Sequence, residues 1–399
     1  MNVFPESEIA CPANPKWEAL IHRQIPLYKR NMDIRSEFER DYTRILYSDA
    51  YRRLKHKTQV FFSPKNDHIC TRIEHIMNVE SISSTIAKAL GLNRELTKVI
   101  ATAHDLGHSP FGHQGEKILS ELSEKELGKP FWHERNGLDM VDKIELLENE
   151  KDEKQNLDLT YAVRDGIISH CGEIDETSLK PRTQAIDLAC YQKPNQYPPY
   201  TWEGCIVKIA DKISYVRRDI EDAISLGLLE DNLEELYDLI HCPKGRKINN
   251  TNFINDLIYD LIHHSSVEEG LRFSEQTTHM LNDMKHFNYE KIYLNSKLDA
   301  SHRYCHLILT EIFSTLRQAY QSNQTLEQLH LLEKDYPELV TPFVTWLERY
   351  LTDFDKKGYL NEKLFDLMKE QDYIQALLYY ISGMTDSYAI QLYQSIISF

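Results

Sequence analysis

The chain has 399 residues, a formal net charge of −16, and 14 each of glycine and proline. That length allows a substantial core and two or three domains, and the scarcity of structure breakers favours long helices. The acidic balance argues against a generic nucleic-acid binder, which usually carries the opposite sign.

In chain order, residues 1–30 read as an irregular arm. The opening "MNVFPESEIACPANPKW" has acids and prolines where a signal peptide needs an apolar run. No apolar run approaches the length of a membrane span, so a cytoplasmic protein without membrane partners is expected. From Asp33 to about Leu54, "FERDYTRILYSDAYRRL" repeats apolar residues at helical spacing and predicts one helix. Pro64, Asn66 and Asp67 break the pattern. The next helix runs from Arg72 to Leu90, with Ile82, Ile86, Ala89 and Leu90 as its stripe and Gly91 as its stop. "RELTKVIATAHDLG" then runs apolar into His104–Asp105 and ends at Gly107.

A further helix is predicted from near Gly115, then a loop over 126–137, a helical "LDMVDKIELLE" and a polar surface turn over 150–156. "LTYAVRDGIISH" is helical again, and 191–200, with three prolines, is an irregular connection. The longest helical pattern follows, "TWEGCIVKIADKISYVRRDIEDAISLGLL", and 251–399 continue as amphipathic helices with short polar breaks. The fold class is therefore all-α. The seven cysteines (11, 70, 171, 190, 205, 242 and 305) are scattered and never form C-x-x-C, as expected of reduced thiols.

One stretch concentrates chemistry. "TAHDLGHSPFGHQGE", Thr102 to Glu116, holds His104, Asp105, His108, His113 and Glu116. Imidazole beside carboxylate suits a borderline transition ion, and a carboxylate also suits Mg²⁺ or Mn²⁺. Two adjacent ligands are too few for a site. His75, in the preceding helix, and Asp211, a carboxylate inside an apolar run, supply the missing partners, since a buried carboxylate is costly unless paired or metal-bound. Taken singly, each has a plainer reading: a core or surface histidine, and an aspartate paired with Lys208 or Lys212. The order H…HD…D on successive helices favours the shared site.

The chain resembles the HD-domain phosphohydrolases and, within them, the deoxynucleoside triphosphate triphosphohydrolases of the bacterial dGTPase-like group. The likeness covers nearly the whole chain. It rests on "DYTRILYSDAYRRLKHKTQVF" (41–61), "RIEH" (72–75), "AHDLGHSPFGHQGE" (103–116), "IADKISYVRRDIEDAISLGLL" (209–229) and "YYISGMTDSYAIQLY" (379–393). H…HD…D alone marks only an HD protein; KTQVF, HxPFGHxGE and GMTDxYA together are far more specific.

The resemblance implies an HD-type helical core with its N-terminal arm over 1–240 and additional C-terminal helices over 241–399, packed on that core. It implies that His75, His104, Asp105 and Asp211 hold one divalent ion: Mn or Mg, with Fe, Ni, Co and Zn as alternatives. A second Mg would arrive with the triphosphate. His113 and Glu116 match the catalytic pair, one helical turn apart; His113 either protonates the departing 5′-oxygen, with Glu116 orienting it, or handles the attacking group. His108 matches a phosphate-contacting histidine, and Arg72 and Lys212 offset triphosphate charge. Gln59, Tyr215 and Asp219 match the residues that surround a 2′-deoxyribose. The implied reaction turns a dNTP, with dGTP a candidate preference, into a deoxynucleoside and inorganic triphosphate.

The implied partners are a homo-oligomer, often a hexamer built from dimers, and allosteric dNTP or single-stranded DNA. Two departures stand out. Ser109 replaces the commoner proline, and "GKPFWHERNG" replaces a "GGFEHN"-like segment, where His133 is either a triphosphate contact or a surface-loop histidine. His170 reads as a packing or capping residue. Arg52–Arg53 and Arg217–Arg218 read as solvated faces or ion-pair partners. The alternatives are another HD hydrolase, acting on a nucleoside monophosphate, cyclic nucleotide or alarmone, or a non-catalytic nucleotide sensor.

Overall fold

The computed structural model describes residues 3–27, 33–62, 68–171, 178–240, 250–354 and 357–398. The break expected at Pro64, Asn66 and Asp67, and Cys242, lie outside them. The regular structure of the described residues is helical apart from one two-stranded antiparallel hairpin pairing Leu146–Glu148 with Lys154–Asn156. The all-α expectation holds. Among the described residues no helix is long and apolar enough to cross a membrane, and none of their six cysteines is in a disulfide. The chain divides into two compact units, each assembled from separated segments: 1–43, 63–104 and 159–300 in the first, and 44–62, 105–158 and 301–399 in the second.

The first unit is built on helices Arg72–Leu90, Arg94–Ala103, Tyr161–Ser169 and Trp202–Ser225. The Arg72–Leu90 helix starts at a capping box: Glu74 accepts from the Thr71 backbone N–H at 2.8 Å and hydroxyl at 2.9 Å. It stops at Gly91, whose φ of 76° is left-handed. This helix packs against Arg94–Ala103 and Trp202–Ser225, and Ile76, Val79, Ile86 and Leu90, Val99 and Ile100, and Ile206, Val207, Ala210 and Ile213 are among the buried residues of the three. Gly166 lets the Tyr161–Ser169 helix pass Ile100, since a Cβ there would lie 2.6 Å from an Ile100 methyl. The arm expected to be irregular is packed. It contains a short helix, Trp17–Leu20, buries Phe4, Ala10 and Leu20, and sets Phe4 edge-on to Trp202 with ring centroids 4.9 Å apart.

The second unit holds helices Gly112–Leu127, His133–Asp139, Pro337–Leu347, Glu370–Ser382, Asp386–Ile397 and most of Asp299–Arg317. Its core joins Ile118 and Leu119 to Ile308, Ile312, Phe343, Leu377 and Ile381. Three local expectations are corrected. The single helix expected over 33–54 is two, Glu37–Tyr47 and Asp49–Arg53, because the Ser48 hydroxyl accepts from Tyr51 N–H and starts a new helix. Helix Gly112–Leu127 begins three residues before Gly115. The loop expected over 126–137 ends at Trp132, where helix His133–Asp139 begins, and "LDMVDKIELLE" then divides into a π-turn, Met140–Ile144, and the first hairpin strand.

Candidate active site

In the first unit, His75 sits one turn into its helix, His104 caps the end of Arg94–Ala103, and Asp211 lies mid-way along Trp202–Ser225. The packing of these three helices brings the side chains together. His75 Nε2 lies 2.9 Å from Asp211 Oδ1, and His104 Nε2 lies 3.9 Å from the same oxygen. One ligand atom from each of the three falls within 4.8 Å of the others.

The outer nitrogens of both rings are engaged. His104 Nδ1 is 2.7 Å from the Ala101 carbonyl, an oxygen that can only accept, so Nδ1 carries the proton and Nε2 offers its lone pair towards Asp211. His75 Nδ1 is 3.4 Å from the Ser214 hydroxyl, which can donate or accept. Carbonyl and hydroxyl partners behind the ligating edge are what metal-bound histidines use to fix their orientation. Two imidazoles and a carboxylate thus fit a divalent ion. His170, which read as a packing or capping residue, does both: its Nδ1 donates to Ile167 O at 2.7 Å, and its ring stands edge-on to His104 at 4.9 Å.

Arg72, Lys212 and Asp219 are buried in the same unit, and Tyr215 is half-buried. Burial pushes the Asp219 carboxyl up to about 7, although the Tyr293 hydroxyl donates to it and the charges of His75 and Arg72 favour its ionised form. Burial, with the nearby Asp211 charge, pushes the Tyr215 phenol well above its ordinary value. Tyr215 and Tyr293 border a cavity of about 360 Å³ that also meets Asn282, Lys285 and Asn288. Tyr293 carries no motif and was not foreseen. Lys208 is directed to Cys171 O at 2.8 Å and Asn195 Oδ1 at 2.5 Å.

The second unit gathers Asp105, His108, His113, Glu116 and His133. Asp105 Oδ1 is 3.1 Å from His108 Nδ1. The His108 ring lies over His133, with centroids 3.7 Å apart and planes tilted by 32°. Glu116 accepts from the His133 backbone N–H at 2.9 Å, and both its oxygens are 3.0 Å from His133 Nδ1. Burial alone would raise the Glu116 carboxyl. The His133 charge and hydrogen bond, with His108 and His113, outweigh it and hold the group well below the usual carboxylate range. His113, on the same helix face, is exposed and offers a ring nitrogen within 4.8 Å of ligand atoms on His108 and Glu116. The strong bonds of Glu116 described here run to His133, a residue the sequence left between surface loop and triphosphate contact.

Backbone geometry holds this cluster. A Cβ on Gly107 would sit 2.1 Å from His133 O and Gly137 N, so only glycine lets the His133 helix approach so closely. Phe111 and Gly112 both take left-handed φ, 63° and 59°, and turn the chain into helix Gly112–Leu127. Buried Asp386 accepts from Phe111 N–H and Thr58 N–H, each at 2.9 Å. The Lys57 ammonium bridges the carbonyls of His108 and Ser382, and so stands beside the buried Gln59. Lys57 and Asp386 belong to two of the motifs quoted above, KTQVF and GMTDxYA, but the sequence alone assigned them no part. Of the two arginine pairs, three residues are the ion-pair partners expected, Arg53 with Glu145 at 2.7 Å, Arg52 with Asp49 at 3.5 Å and Arg218 with Glu221 at 3.3 Å, whereas Arg217 is buried against the Phe253 ring and not on a solvated face.

Comparison with known proteins identifies the family. The HD domain family matches residues 72–216. A deoxyguanosinetriphosphate triphosphohydrolase-like protein of Caldanaerobacter subterraneus subsp. tengcongensis is 33% identical over 367 residues, 91% of this chain and 86% of that protein. A protein of the same description from Desulfatibacillum aliphaticivorans is 34% identical, covering 77% of this chain and 81% of its own length. One from Rickettsia prowazekii is 29% identical over 95% of this chain and 94% of its own. The chain belongs to the deoxyguanosinetriphosphate triphosphohydrolase-like family of HD-domain proteins.

Proposed function

We propose that the protein is a metal-dependent deoxynucleoside triphosphate triphosphohydrolase, with dGTP, nominated by the names of its relatives, as the first substrate to test. The observation that carries the reading is the meeting of His75, His104 and Asp211, with the far nitrogens of both rings engaged behind them. Asp105, next to His104 in the chain, completes the proposed ligand set for one Mn²⁺ or Mg²⁺. When bound, the ion would acidify a water and polarise the α-phosphate.

The residues take the remaining roles. Arg72, Lys212, His108 and His133 offset the triphosphate charge. Glu116 keeps the His133 Nδ1–H engaged. Gln59, Tyr215 and Asp219 surround the deoxyribose, and the cavity beside Tyr215 and Tyr293 receives the nucleoside. The water oxygen bonds to the α-phosphorus, the bond from phosphorus to the 5′-oxygen breaks, and His113 supplies the proton that oxygen takes. The same reading includes a dimer-based homo-oligomer and a dNTP or single-stranded DNA as effector.

The test is a product assay: purified protein, each of the four dNTPs and GTP, Mn²⁺ or Mg²⁺, and ion-exchange separation. Deoxynucleoside with intact triphosphate is the expected result. Stepwise loss of phosphate would make it another phosphohydrolase. No turnover of single or mixed dNTPs would refute the enzyme and leave a nucleotide sensor.

A further inference from the structure

A separate cavity of about 290 Å³ lies wholly within the second unit, lined among others by Arg53, Arg349, Trp346, Tyr350, Tyr380 and Tyr388. Its charges do not cancel. Buried Glu145 is satisfied by Ala50 N–H at 3.0 Å and Arg53 Nη2 at 2.7 Å. At the margin, Lys154 pairs with Glu148 and Asp49 with Arg52. That leaves Arg349, whose guanidinium makes no hydrogen bond or ion pair among the described residues. The Nε atoms of both Arg349 and Arg53 are buried and without a hydrogen-bond partner.

Aromatic rings form much of the remaining wall, beside Met140, Ile144, Leu146 and Met384. The Trp346 ring lies 5.1 Å from Tyr350 and 5.4 Å from Tyr380, and the Tyr380 and Tyr388 hydroxyls are 3.2 Å apart. The Tyr350 hydroxyl is taken by Ile144 O at 2.6 Å, so that residue offers its ring face. Guanidinium forks match carboxylate or phosphate oxygens in pairs, and aromatic walls take flat rings. The volume is near the lower end of small-molecule sites, about 300 Å³, which suits one ring system with one anion better than a triphosphate.

We propose that this cavity is a second ligand site, for a small molecule joining a flat ring to a single anionic group. Its occupancy would bear on the candidate active-site loop. Gly383, Met384 and Thr385 line it, and they stand between Ser382, which accepts from Lys57, and Asp386, which holds Thr58 and Phe111. A ligand seated there steadies the turn that carries His108 and His113.

A nucleoside monophosphate and an aromatic carboxylate share this chemistry. The test titrates the full chain with adenosine monophosphate and, separately, with indole-3-acetate, reading tryptophan fluorescence and calorimetric heat. At least one should bind, and the fluorescence change should vanish in Trp346→Phe while the heat remains. In Arg349→Gln affinity should fall about tenfold or more, as loss of a charged hydrogen bond requires. Arg349→Lys, the second variant should the first fail to fold, keeps the charge without the fork and should lose less. Adenosine alone and inorganic phosphate alone should each bind at least about tenfold more weakly than the joined molecule. Arg72→Ala should leave the Trp346-dependent signal intact, which separates this site from the candidate active site and from the function proposed there. Absence of binding by both probes at millimolar concentration, or equal binding by wild type and Arg349→Gln, would overturn the proposal.

Discussion

Asp219 offers a quantitative test of the first unit. Its carboxyl is fully buried and titrates near 7, against 3.8 for the ordinary group. The sign follows from linkage. Because the folded value is the higher one, the folded state holds the proton longer, so stability is fully present at acid pH and is lost as pH rises through the window from about 4 to about 7. A difference of about 3 pH units corresponds to about 4 kcal/mol of stability lost across the window. Asp219→Asn removes the titration, and its amide can still accept from Tyr293. Urea unfolding of both proteins, stripped of metal with chelator and followed by circular dichroism, reads the effect. Between about pH 5 and about pH 8 the variant should gain about 3 kcal/mol on the wild type. A constant difference across that range would show that Asp219 is ionised in the folded protein, and the burial argument would fail.

Other outcomes test the site residue by residue. Asp211→Ala should lose bound metal, measured by inductively coupled plasma mass spectrometry, and lose activity while keeping wild-type circular dichroism; a full metal complement would refute its place in the ligand set. His113→Ala should keep metal and nucleotide binding but lower kcat by about 100-fold or more, as for loss of a general acid; a near-normal kcat would remove it from the reaction. Gly107→Ala should cost about 3 kcal/mol or more, because its Cβ would overlap backbone atoms of the His133 helix on two sides. A thermal midpoint equal to wild type would mean the two segments are not so tightly apposed.

What was legible in the sequence had local causes. The Arg72–Leu90 helix was found to the residue from its apolar stripe and the Gly91 stop, and the structure adds a Thr71–Glu74 capping box at its start; Asp211 stood out as the one carboxylate in an apolar run. The misses were non-local or had competing signals. Ser48 sits inside an unbroken apolar period, yet its hydroxyl ends one helix and begins another. Pro130 made 126–137 look like a loop, whereas the His133 helix is held by what lies far from it: Glu116, and Asn136 donating to Gly107 O at 2.7 Å. Tyr293 lies 74 residues from its partner Asp219, and no spacing rule joins them.

The two bonds that Asp386 makes have a consequence for the order in which the protein is built. A carboxylate close to the C-terminus fixes the backbone at Thr58 and Phe111, near the beginning of the second unit's chain. On the ribosome, the turn bearing His108 and His113 is synthesised early and must wait without that anchor until Asp386, 275 residues after Phe111, emerges. A prematurely terminated chain ending before Asp386 would therefore carry every candidate metal and acid–base residue and still lack the clasp that sets that turn, so incomplete products would release no working copy of the site.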